Sequence, residues 1–87
     1  MTQLINVQVR YFASLRESLG SAETVDVPAG TTLGALRDLL LDRGGRHAEA
    51  LARGRAVRCA LDQTMSDESA ALRDGAEVAF FPPVTGG

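Results

Sequence analysis

Hydrophobic and polar residues alternate through INVQVRYF: Ile5, Val7, Val9 and Tyr11 share one face, and Asn6, Gln8, Arg10 and Phe12 share the other. A period of two predicts a strand with one buried side. In FASLRESLG, Leu15 and Leu19 lie four apart ahead of Gly20, the spacing of a short helix closed by glycine. ETVDV predicts a second strand, ended by the turn PAG. The clearest helical period is TTLGALRDLLLDRGG, where Thr31 or Thr32 caps the amino end and Gly44–Gly45 stop the helix. Its buried stripe is Leu33, Leu36 and Leu40, with Arg37 and Asp38 facing water. HAEALAR adds a further helical turn or two. AVRCALD alternates again, Val57, Cys59 and Leu61 inward and Arg58, Ala60 and Asp62 outward. QTMS reads as a short fourth strand, ALRDG as a turn and AEVAFFP as the last strand.

This order predicts an α+β domain, a mixed sheet of four to five strands packed on one principal helix. The first and last strands carry the strongest apolar signal and belong together at the sheet centre. That is the ubiquitin-like β-grasp arrangement. The folded domain is expected over residues 1–82, with residues 83–87 a flexible carboxyl-terminal Gly-Gly tail.

Eighty-seven residues suit one domain. A net charge of −2 and a pI near 5.2 argue against a nucleic-acid partner. All nine cations are arginine, so no side-chain amine within the chain can accept an isopeptide bond. The single cysteine, Cys59, excludes an internal disulfide and a thiolate-rich metal site on one chain. MTQLINVQVR lacks the basic-then-apolar layout of a signal peptide, and no apolar run approaches the ~20 residues that span a bilayer. A cytoplasmic protein without a membrane partner is expected.

Few residues suggest chemistry of their own. Strand parity puts Cys59 in the core, where a thiol behaves as a small hydrophobe. His47 is the only histidine and reads as a surface residue; Asp67–Glu68 and Asp38/Asp42 read as solvated loop and helix faces. There is no phosphate loop, HExxH or CxxC motif, and no metal site is expected. The last strand differs. With Val78 and Phe80 in the core, Phe81 falls on the open face with Glu77 and Ala79, and parity sends Phe12 to that face too. If the first and last strands are parallel neighbours, Phe12 and Phe81 meet beside Arg10 and Arg58, and Met65 completes the patch. Aromatics and arginine are enriched at interfaces, so the patch reads as a partner surface; the alternative is that DQTMSDES folds over it. Beyond it, Pro82 and Pro83 stiffen the chain. Six residues from Pro82 to Gly87, extended, reach roughly 20 Å. Glycine at the tip admits a backbone to a slot too narrow for a Cβ, and the group delivered is the terminal carboxylate.

LRDGAEVAFFPPVTGG resembles the carboxyl end of the MoaD family, the small sulfur-carrier subunits of molybdopterin synthase; VQVRYFASLRESLG is similar to its first strand and helix, and ALDQTM to its third-strand exit. The resemblance implies a β-grasp fold and a carrier role in molybdenum cofactor biosynthesis. It implies that Gly87 is adenylated by an ATP-dependent, E1-like (MoeB-like) adenylyltransferase and sulfurated to a thiocarboxylate, the sulfur coming from a donor sulfurtransferase. It further implies that Val84, Thr85, Gly86 and Gly87 insert into a MoaE-like large subunit, in a heterotetramer, to build the dithiolene on cyclic pyranopterin monophosphate. Catalytic residues then belong to the large subunit, and no cofactor is permanently bound. The family commonly has Asn where Asp62 stands, beside the interface, and Asp where Ala76 stands. Other readings are a related carrier for thiamine, cysteine or tRNA thiolation, a modifier of lysines on other proteins, and a non-covalent interaction module.

Overall fold

The computed structural model describes residues 3–82; the expected tail, with Val84, Thr85, Gly86 and Gly87, lies outside the described residues. The elements are β1 (Leu4–Tyr11), α1 (Ser14–Leu19), β2 (Ala22–Pro28), α2 (Leu33–Leu41), α3 (Gly45–Ala50), β3 (Arg58–Leu61), β4 (Thr64–Met65) and β5 (Glu77–Phe81). They form a five-stranded sheet in the order β2-β1-β5-β3-β4. β1 and β5 run parallel at its centre, and the β1–β2, β5–β3 and β3–β4 pairs are antiparallel. This α+β arrangement is the ubiquitin-like β-grasp.

Alternation in β1 translates directly into burial, every second residue from Ile5 to Tyr11 lying inside. Val25 and Val27 of β2, Val78 and Phe80 of β5 and Cys59 of β3 join that face, and Leu33, Leu36 and Leu40 of α2 cover it. Thr32 caps α2, its hydroxyl accepting the Ala35 N–H at 3.1 Å, while Thr31 donates to the Pro28 carbonyl at 2.6 Å. The first turn of α2 would otherwise leave backbone donors unpaired. A returning segment supplies two acceptors: Leu33 N–H donates to Ala70 O at 3.0 Å and Gly34 N–H to Glu68 O at 2.9 Å. Gly34 permits this approach, since a Cβ there would sit 3.1 Å from the Glu68 Cβ.

The expectation that Arg37 faces water is wrong. Arg37 is 4% exposed because it follows Leu33 by four residues and so falls on the edge of the same helical stripe. Its Nε donates to Leu51 O at 2.8 Å, and Nη2 donates to Ala52 O at 2.6 Å and Arg55 O at 3.0 Å. Nη1 pairs with Glu68 at 2.8 Å. One guanidinium thus satisfies the carbonyls of the irregular chain after α3. Nor are the acidic residues merely solvated: Asp38 pairs with Arg53 at 2.8 Å, and Glu68 binds both Arg37 and Arg53.

The clamp can be tested by removing each arginine in turn. Arg37→Ala strands the carbonyls of Leu51, Ala52 and Arg55 and should cost about 3 kcal/mol or more of stability in urea titrations. Arg53→Ala, at an exposed side chain, should cost at most about 1 kcal/mol. Equal midpoints for the two variants would dismiss the clamp. The hydrogen bond from Arg53 holds the Glu68 carboxyl below its usual range; burial opposes this and Arg37 adds to it. A carboxyl lowered by folding contributes its full stability above the unfolded value of about 4.3 and loses it as pH falls through the folded value. Stability curves from pH 7 to 3 should therefore show a shallower acid decline for Glu68→Gln than for the parent; a decline of equal steepness would count against the pairing.

Candidate functional site

The parallel register pairs Tyr11 with Phe80, so the next residue on each strand, Phe12 and Phe81, emerges on the opposite face. Their ring centroids are 5.3 Å apart with planes inclined at 39°. Directly behind them, Tyr11 and Phe80 stack at 6.2 Å inside the core. Phe12 N–H still donates to Phe80 O at 3.2 Å, and Phe12 O accepts from Leu15 N–H at 3.1 Å. Ala13, at φ 53°, breaks the strand immediately after it. Phe12, the residue that follows β1, is thereby held by the backbone on both sides. Phe12 stays 40% exposed and Met65 56% exposed.

A second row crosses the open face just before the aromatic pair. The registers align Met65, Ala60, Ala79 and Arg10 across four strands. Ala60 and Ala79 form the floor of a groove of about 330 Å³ with Phe12, Phe81 and Met65 around it. Ala60 points outward as expected, yet neighbouring side chains leave it only 4% exposed. Arg10 lies at the groove edge and is tied to Glu77 at 2.9 Å. Arg58 is the Cα partner of Phe81 and is exposed. The structure thus brings together all five residues singled out on this face: Phe12, Phe81, Met65, Arg10 and Arg58. The alanine floor and the Glu77 pairing were missed, because small residues and a single acid carry no signal until the register is known.

The DQTMSDES segment leaves the patch open. Asp62 and Gln63, at φ 49° and 69°, make the two-residue turn between β3 and β4, and the chain then passes to the helix side to meet Leu33 and Gly34. Asp62 is a turn residue of the fold itself. Its carboxylate accepts Glu77 N–H at 3.0 Å and approaches Arg73 at 3.3 Å, and the Glu77 N–H is the main cause of a pKa below the usual range. Asparagine also tolerates this positive φ, which accounts for either residue here. Ala76 is buried, and the turn before it has an acid in Asp74, whose Oδ1 accepts Asn6 N–H at 2.7 Å.

The remaining candidates are packing residues. Cys59 is 5% exposed, and burial pushes its thiol pKa up, which disfavours the thiolate a nucleophile needs. His47 is half-buried, not a free surface residue: its Nε2 lies 3.2 Å from Glu23 Oε2 and its ring meets Tyr11 edge-on at 6.3 Å. Glu23 gathers Tyr11 Oη at 2.8 Å and Arg43 at 2.5 Å as well. Burial pushes its carboxyl up, but these hydrogen bonds outweigh that and hold it below its ordinary range. Sequence periodicity could not show this cluster, which joins β1, β2 and the α2–α3 region. Among the described residues no His, Cys, Asp or Glu cluster could hold a metal ion, and no helix is long and apolar enough to cross a membrane.

A β-grasp sheet whose last strand ends beside an aromatic pair on its open face defines the class: a ubiquitin-like domain. The chain belongs to the ThiS family, which it matches over residues 9–87. It is 41% identical over 81 residues to the molybdopterin synthase sulfur carrier subunit of Escherichia coli, covering 93% of this chain and 99% of that protein. Among solved structures, it resembles small archaeal modifier protein 1 of H. volcanii with a TM-score of 0.74 at 27% identity, covering 92% of this chain and 99% of that one. It also resembles a chain in the complex of subunits 1 and 2 of the molybdopterin-converting factor from Helicobacter pylori, with a TM-score of 0.63 at 28% identity over 95% of this chain and 100% of that one.

The inner and outer aromatics make a paired prediction. Phe80→Ala should lose roughly 3–5 kcal/mol, as expected for a core aromatic. Phe81→Ala, half-buried on the open face, should melt close to the parent. Melting curves that reverse the two would mean the strand register is shifted by one residue.

Proposed function

We propose that this chain is a sulfur carrier acting as the small subunit of molybdopterin synthase. The observation that carries the reading is the match to a sulfur carrier subunit over nearly the whole of both chains, together with a family match that runs through Gly87. The geometry agrees: Phe12 and Phe81 flank the point where the chain leaves the sheet, and the one thiol, Cys59, is buried on the opposite, core face.

The chemistry begins at the Gly87 carboxylate, which is anionic at neutral pH and a poor electrophile. An E1-like adenylyltransferase joins it to AMP from ATP, releasing pyrophosphate. A sulfur donor, supplied by a sulfurtransferase, then displaces AMP and leaves a thiocarboxylate whose charge sits largely on soft sulfur. In the large subunit, this sulfur attacks a side-chain carbon of the cyclic pyranopterin monophosphate, forming a C–S bond as the C–O bond at that carbon breaks and its oxygen leaves. Hydrolysis of the acyl–sulfur bond leaves sulfur on the pterin and restores the carboxylate. Two deliveries build the dithiolene. ATP is consumed by the activating enzyme, and the H. pylori complex of subunits 1 and 2 is the precedent for a large-subunit partner.

The likeness to the H. volcanii modifier protein favours a second reading, attachment of Gly87 to lysines of other proteins. One experiment separates them: intact mass after incubation with ATP, an activating enzyme and a sulfur donor. Exchange of one oxygen for sulfur should add roughly 16 Da, on the parent and on Cys59→Ala alike, and deletion of Gly87 should abolish the gain. Conjugates to lysine-bearing proteins with no sulfurated chain would overturn the carrier reading.

A further inference from the structure

At the end of the sheet where Phe81 leads into Pro82, the open face has an uneven distribution of charge. Arg10 is neutralised by Glu77 at 2.9 Å; Arg73 approaches Asp62 at 3.3 Å, but at the opposite end of β5, beside Glu77. Phe12, Phe81, Met65 and the alanine floor are uncharged. Arg58 differs from Arg10 and Arg73, and unlike Arg16, which borders Phe12 from α1, it stands on the sheet itself. It is exposed, sits beside Phe81 in register, and forms no ion pair within the described residues. Its Cα partner on the neighbouring strand is itself an aromatic of the patch, so a protein covering Phe81 necessarily comes over Arg58.

Covering a guanidinium with apolar surface is costly unless an opposite charge meets it. A partner seated on the aromatic pair therefore needs a carboxylate at this point, and one that presents a cation or a purely apolar surface is rejected. We propose that Arg58 is the specificity-determining residue of the docking face, and that the partner it selects presents an aspartate or glutamate against it beside the pocket for Phe81. The proposal rests on the docking role assigned above and adds the charge of the partner's surface. Arg58 selects by charge, while Phe12 and Phe81 supply the apolar burial.

The test is titration of the full chain with the synthase large subunit at low and high sodium chloride. Arg58→Gln should melt like the parent, bind roughly tenfold more weakly at low salt, and show a reduced dependence of affinity on salt. Arg58→Lys should keep most of the salt dependence, because it keeps the charge, whereas a variant that merely disturbed β3 would lose it. Arg46→Gln, on the helix side, should change neither. Phe81→Ala serves as the control for the docking role. Loss of binding in Phe81→Ala with unchanged affinity and salt dependence in Arg58→Gln would overturn the selector while leaving the docking face standing. Unchanged binding in both would overturn the docking face, and the selector with it.

Discussion

The parallel pairing of β1 with β5 is the constraint on which the rest depends. It joins the first and last strands of the sequence and aligns Tyr11 with Phe80, so both strands finish at the same edge of the sheet. Each finishes on two consecutive aromatics, and a pleated strand sends consecutive side chains to opposite faces. One alignment therefore yields two aromatic contacts: Tyr11 on Phe80 inside, Phe12 on Phe81 outside. A slip of one residue would place the wrong pair in the core. The core stack thus fixes the external pair, and the external pair sits where the chain leaves the sheet.

The helical side keeps this sheet end from having to supply its own stability. Much of the chain between α3 and β3, and between β4 and β5, is irregular, and irregular backbone near a core needs hydrogen-bond partners. Arg37 supplies them for residues 51–55, and the first turn of α2 supplies them for the segment around Glu68 and Ala70. Glu68 links the two systems through Arg37 and Arg53. With these segments secured beneath the sheet, the opposite face stays uncovered, as the exposure of Phe12 and Met65 records. For a carrier whose reactive group is a backbone carboxylate, as proposed, the domain's task is presentation: a firm platform, an apolar landing surface and a charge to choose the partner.

Most of the architecture was legible because strands that bury one face announce it by period two. β1, β3 and β5 were readable on that basis, and the placing of β1 beside β5 followed from their apolar strength. Parity alone then brought Phe12 and Phe81 together. Where reading failed, a side chain acted against its type. Arg37 looked like a solvent residue, but its position four after Leu33 put it on the buried stripe, and the carbonyls that accept its protons lie 14–18 residues away in sequence. His47 looked isolated because its partner Glu23 is 24 residues distant. Ala60 faced outward by parity but became the floor of a groove, since burial there depends on the size of Met65 and Phe81 around it. The expected tail lies outside the described residues, and its support is the family match that runs through Gly87.

The central claim is that the strand-end face carrying Phe12, Phe81 and Met65 receives the synthase large subunit. Nuclear magnetic resonance of the full chain, labelled at phenylalanine rings and at methionine and leucine methyls, tests this most directly when the large subunit is added. Leu39 is a built-in reference: it is 46% exposed on α2, on the helix side of the sheet. The account predicts that the Phe12, Phe81 and Met65 signals shift or broaden at substoichiometric partner while those of Leu39 hold. Perturbation confined to Leu39 and the helical side, with the three sheet-face residues unchanged, would contradict it.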